Sequence, residues 1–173
     1  GSSWQSFLGG LSALIGGLLT GGGLFILGAA VLLELTTIEM SPAMKQLSEK
    51  ILSLMLDQPW WLAWALIAIL PACLEELLFR GWVLSAFCGE QPSKQRMAIA
   101  VFAQAICFAI FHLLPERMPQ TFLLGIALGT IVLLTKSIYP AILCHIANNS
   151  MPLLLLYMTG IQDKDSLPES VAT

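Results

Sequence analysis

Three short motifs carry ionisable or amide side chains into otherwise apolar sequence: Glu75-Glu76-x-x-x-Arg80, Phe108-x-x-x-His112 and His145-x-x-x-Asn149. These residue types suit proton transfer and charge stabilisation. Imidazole is the side chain that changes charge between about pH 5 and 8, and burial makes a carboxylate a readier proton acceptor. A neutral Asn amide is a donor suited to an oxygen that gains negative charge during a reaction. Glu76 and Arg80 stand at i,i+4, where side chains on a helix meet and can pair. Glu75 is rotated by about 100° from Glu76, so it faces a different neighbour. The spacing therefore predicts a structural ion pair, Glu76–Arg80, and a separate carboxylate, Glu75, aimed into the bundle. The alternative is a single buried polar clamp of all three, which leaves the other motifs without a use. His112 and His145 are the only histidines in the chain. A lone His on an apolar face is usually a satisfied core residue; two of them, with paired acids and an Asn, make a constellation.

The elements that position these groups follow from composition. Of the 173 residues, 57% are hydrophobic and 11% charged, against about 25% charged in a soluble domain. Mean hydropathy is +0.81. So few charges cannot cover a water-facing surface, and the net charge of -3 gives no basic patch for nucleic acid. Cys73, Cys88, Cys107 and Cys144 are scattered without a CxxC pair, which argues against a disulfide framework or a structural zinc site. The expected fold is an all-α integral membrane protein of about five transmembrane helices plus one interfacial amphipathic helix. About 20 apolar residues in a helix cross a bilayer core, and the runs near 7–33, 59–87, 97–114, 120–134 and 141–158 qualify. Gly17 and Gly21 in the first form a GxxxG pair that lets helices approach closely. Between the first two runs, Ser41 and Pro42 open an amphipathic segment in which Met44, Leu47, Ile51, Leu54 and Met55 share a face. Such a helix lies in the interface plane. Trp60, Trp61 and Trp64 then form an aromatic belt. The division expected is 1–58 (first span and amphipathic helix), 59–160 (catalytic helical core) and 161–173 (polar tail).

In order and spacing, the three motifs resemble those of the CPBP intramembrane protease family, which includes the type II CAAX prenyl endopeptidases and the bacteriocin-processing or self-immunity (Abi) proteins. The resemblance covers about residues 60–158. It implies an intramembrane endopeptidase that hydrolyses a peptide bond in a membrane-associated or lipid-modified substrate. It further implies that Glu75 is the general base and His112 its partner in activating water. His145 and Asn149 would polarise the scissile carbonyl and hold the oxyanion, with Glu76 and Arg80 supporting the site. No cofactor is expected on this reading. The alternative is one zinc ion held by Glu75, His112 and His145 with water in the fourth position, although that leaves no free carboxylate as base once Glu76 pairs with Arg80. The expected setting is a multi-pass protein of a prokaryotic plasma membrane, with a membrane-associated peptide or protein as substrate, the bilayer around it and a larger membrane assembly as a further possible partner.

Two rival functions use the same residues. Intramembrane Glu and His also build proton relays in transporters, although the absence of a duplicated half argues against one. A non-catalytic scaffold or immunity protein would keep the fold without the reaction. Depth also poses a problem. At 1.5 Å per residue, measured from the side of the 89–96 loop, Glu75 lies roughly 18–20 Å deep, His112 about 24 Å and His145 only about 8 Å. Straight, full-length spans would hold them apart. A hydrolytic site therefore requires tilted spans, a recessed turn at 136–140 or an irregular link at 116–117, together with access for water.

Overall fold

The protein was analysed as a computed structural model, which describes residues 58–158 and the isolated positions 12, 15, 16, 19, 20, 23, 26, 42, 46, 50, 53 and 54, each of these helical. Most of the expected first span, Gly17 and Gly21 included, most of the amphipathic helix, and the tail from 159 lie outside the described residues. Those described form helices and turns with no strand. Four helices are long and apolar enough to cross a membrane: α1 (Trp60–Cys88), α2 (Lys94–Phe111), α3 (Met118–Thr135) and α4 (Tyr139–Met158). They match the last four of the five expected spans.

α1 is irregular where its sequence demands it. Pro59 precedes it, and Trp60, Trp61 and Trp64 are exposed around its first turns. Pro71, inside the helix, has no amide hydrogen to donate and crowds the carbonyl four residues earlier. The preceding stretch Ala65–Ile69 widens into a π-helix. The turns carrying the acidic pair, Leu70–Glu76, return to α geometry, and a second π segment follows at Leu77–Val83. Glu75 and Glu76 thus sit between two local departures from regular helix, of the kind often found at functional sites.

The link from α1 to α2 is held by side chains. Gly89, at φ +72°, reverses the chain, and a Cβ there would meet the Arg96 guanidinium at 3.2 Å. Arg96 Nε donates to the carbonyl of Phe87, and Ser93 Oγ caps α2 by accepting from the Arg96 amide. At its other end α2 stops at His112, followed by Leu113 at φ +55° and a 3-10 turn, Pro115–Arg117. Lys136, at φ +53°, closes α3.

α2 and α3 pack most closely because two glycines remove side chains from the contact. A Cβ on Gly125 would lie 2.9 Å from Ala105 Cα, and one on Gly129 would lie 2.7 Å from Gln104 Nε2. The buried core around Phe79, Phe108, Leu124, Leu128, Ala141 and Cys144 joins all four helices. α1 and α4 are also tied near the Trp belt, where Trp64 Nε1 donates to Ser150 Oγ at 2.7 Å. The outer faces carry exposed Leu, Ile, Phe and Trp side chains, as expected of surfaces solvated by lipid.

Candidate active site

α1 presents its two adjacent glutamates to different surroundings. Glu76 is fully buried. Its Oε1 accepts from Arg80 Nη1 at 2.8 Å and from His145 Nδ1 of α4 at 2.8 Å. The expected Glu76–Arg80 pair is therefore present, with both side chains at 0% exposure, and it has a third member the i,i+4 spacing did not reveal. Arg80 also lies 4.4 Å from the ring centroid of Phe108, a cation–π contact in a desolvated setting. Its Nη2 reaches the Gly125 carbonyl at 3.5 Å. That same carbonyl accepts from Gln104 Nε2 at 2.7 Å.

Glu75 faces the histidines. Its Oε2 lies 3.9 Å from His112 Nε2 and 3.7 Å from His145 Nε2, with side-chain exposures of 20% for Glu75, 24% for His112 and 2% for His145. The site thus opens on the Glu75–His112 side. The three groups thus converge despite the depth difference expected of straight, full-length spans. The other ring nitrogens are both committed: His112 Nδ1 donates to the Phe108 carbonyl at 2.8 Å, and His145 Nδ1 donates to Glu76. The Nε2 atoms of both rings face Glu75, whose Oε2 is buried without a hydrogen-bond partner among the described residues. Phe108 stacks edge-on against both rings, with centroids 4.6 Å from His112 and 5.7 Å from His145.

Asn149 stands one turn beyond His145 on α4. Its side chain makes no hydrogen bond to the acids or imidazoles; its Oδ1 accepts from Asn148 Nδ2 at 3.3 Å. The structure thus brings Glu75, Glu76, Arg80, His112 and His145 into one cluster and leaves Asn149 at its edge. Two residues, Gln104 and Asn148, were not singled out from sequence. Gln104 and Phe108 precede His112 by two turns and one turn, so the i,i+4 rule carries the polar face back to an uncharged amide. Asn148 is three residues from His145 and shares its face. Its signal is a polar residue inside an apolar span.

The residues a zinc ion would take, Glu75, His112 and His145, stand slightly wider apart than tetrahedral zinc ligands. Ligand atoms about 2.0–2.2 Å from a tetrahedral zinc are about 3.3–3.6 Å apart, whereas the Glu75 oxygen is 3.7 and 3.9 Å from the two imidazole nitrogens. Among the described residues no group of three His, Cys, Asp or Glu side chains is arranged to hold a metal ion. No step below is routed through a metal.

A family profile for the Rce1-like type II CAAX prenyl endopeptidases matches residues 57–151, which is more than half of the chain. The chain belongs to this family. The match spans α1, α2 and α3 and reaches Ser150 and Met151 in α4, so all three motifs fall inside it. No curated protein and no solved structure matches the chain. Family membership and the four spans make it an integral membrane protein of the intramembrane endopeptidase type.

Proposed function

We propose that the protein cleaves a peptide bond near a prenylated, membrane-anchored tail, using water activated by Glu75. The observation that carries this reading is the approach of the Nε2 atoms of His112 and His145 to Glu75 Oε2, at 3.9 and 3.7 Å. These separations are too long for direct hydrogen bonds, and a shift of these side chains that uncovers the buried Oε2 lets one water bridge them. General-base work requires such reach, directly or through one water.

In the reaction, a water donates one hydrogen bond to Glu75 Oε2 and the other to His112 Nε2, which leaves an oxygen lone pair for the scissile carbonyl carbon. Glu75 takes a proton as the new C–O bond forms. The carbonyl oxygen becomes an oxyanion, held by the Asn149 amide and by the Nε2–H of a His145 that enters the cycle protonated and keeps that proton throughout. Glu76 balances that imidazolium through Nδ1 and is itself balanced by Arg80, so the charges remain paired in a low-dielectric setting. Collapse breaks the C–N bond, and the proton on Glu75 passes to the leaving amine. Water and amide become carboxylic acid and amine, which exchange a proton to leave as carboxylate and ammonium, with no covalent intermediate. The apolar outer faces keep the substrate's prenyl chain in the bilayer while its polar backbone reaches the open side of the site.

The test is cleavage of a quenched fluorescent peptide with a prenylated CAAX tail by the protein in proteoliposomes, with metal content measured on the same sample. Turnover by metal-free protein is expected. Stoichiometric zinc lost and regained together with activity would overturn the glutamate reading in favour of a metalloenzyme.

A further inference from the structure

α4 carries two adjacent carboxamides, Asn148 and Asn149, on the face that bears His145. At 100° per residue, Asn148 (i+3) and Asn149 (i+4) flank the direction of His145 by about 60° and 40°. Asn148 is the more deeply buried, at 8% exposure. Its Nδ2 donates to Asn149 Oδ1, while its own Oδ1 is buried with no partner among the described residues. A polar side chain in an apolar span is costly to retain, and the bond to Asn149 is the one side-chain hydrogen bond Asn148 makes among the described residues.

The chemistry explains why such a bond matters. A carboxamide is two-faced: Oδ1 accepts and Nδ2 donates, and half a turn about the terminal torsion exchanges them. Only the donor face stabilises an oxyanion, and the acceptor face repels it. We infer that Asn148 is a positioning residue that fixes the orientation of Asn149, holding its Oδ1 so that its Nδ2 is the group offered to the substrate carbonyl. With Asn148 as it stands, turning Asn149 over breaks the bond and sets two N–H donors against each other. The inference rests on the proposed role of Asn149 at the oxyanion.

The experiment is a double-mutant cycle on prenylated-peptide cleavage, with kcat, KM and thermal stability measured for each variant in proteoliposomes. Asn149→Ala sets the scale, with a loss in kcat of about 10²–10³-fold expected for removal of one oxyanion donor. Asn148→Asp keeps the shape but replaces the donor with an acceptor, so Asn149 turns its Nδ2 away from substrate. Its kcat falls nearly as far as that of Asn149→Ala, with KM within about twofold of wild type, since the group acts on the transition state. Asn148→Ala removes the bias without reversing it and loses about two- to twelvefold in kcat, the equivalent of one neutral hydrogen bond. That variant answers the question if the aspartate does not fold. In an Asn149→Ala background neither Asn148 substitution changes kcat further. Wild-type kcat in Asn148→Ala, or the same loss with Asn149 present and absent, overturns the positioning role while the site reading stands. Full activity in Asn149→Ala removes both.

Discussion

Glu75 and Glu76 are neighbours of identical chemistry on one helix, yet they occupy opposite environments. Glu76 is sealed between Arg80 and His145 and bonded to both. Glu75 keeps 20% of its side chain exposed and has no hydrogen-bond partner for Oε2, while two imidazole nitrogens face it just beyond bonding distance. A rotation of about 100° is enough to make one carboxylate part of the framework and leave the other free to react. Burial alone does not mark the reactive group: the more buried glutamate is the one whose charge is already balanced.

This contrast can be broken from either side. Arg80→Met strips the sealed half of its cation and leaves Glu76 buried without its guanidinium partner. A loss of about 3–5 kcal/mol in folding stability is expected, read as denaturation in mild detergent, and wild-type stability would show that the pair is not a framework element. His112→Ala acts on the open half. Turnover should fall on the order of 10²-fold, the scale for a displaced reacting group, with the melting temperature nearly unchanged. A parallel loss of fold would place His112 in the framework instead. Gly125→Ala drives a methyl into Ala105 at the α2–α3 contact and should cost about 1–3 kcal/mol of stability, with activity per folded molecule changing less. Trp64→Phe removes the bond to Ser150, away from both glutamates. Its cost should be about 0.5–1.5 kcal/mol, and a larger loss of turnover than of stability would extend the site to the α1–α4 rim.

The spans were legible because each is a long, mostly apolar run ended by Pro, Gly or charge, and the described helices fall within a few residues of the expected bounds. The acidic pair and both histidines were legible for the converse reason: ionisable groups stand out in such runs. Their convergence was not. Counting rise per residue treats spans as straight rods of equal depth, and α1 carries two π segments while α2 ends at His112 in a turn through Leu113 at φ +55°. The His145–Glu76 bond escaped notice because its partners are 69 residues apart, and local spacing rules see only one helix. Gln104 was missed because it is uncharged. The glycine spacing that decides a close contact is Gly125–Gly129, between α2 and α3, whereas the pair singled out from sequence, Gly17 and Gly21, lies outside the described residues.

The split between the two glutamates is tested most directly by measuring the initial rate of prenylated-peptide cleavage, per folded molecule, for Glu75→Gln and Glu76→Gln in the same proteoliposomes. Glu75→Gln should melt with wild type and lose about 10²–10⁴-fold in rate, the usual contribution of a general base, whereas Glu76→Gln should lose stability first and activity with it. A Glu75→Gln protein that keeps more than about a tenth of the wild-type rate, far above that general-base range, or that loses activity only by unfolding, would contradict the assignment of Glu75 as the base.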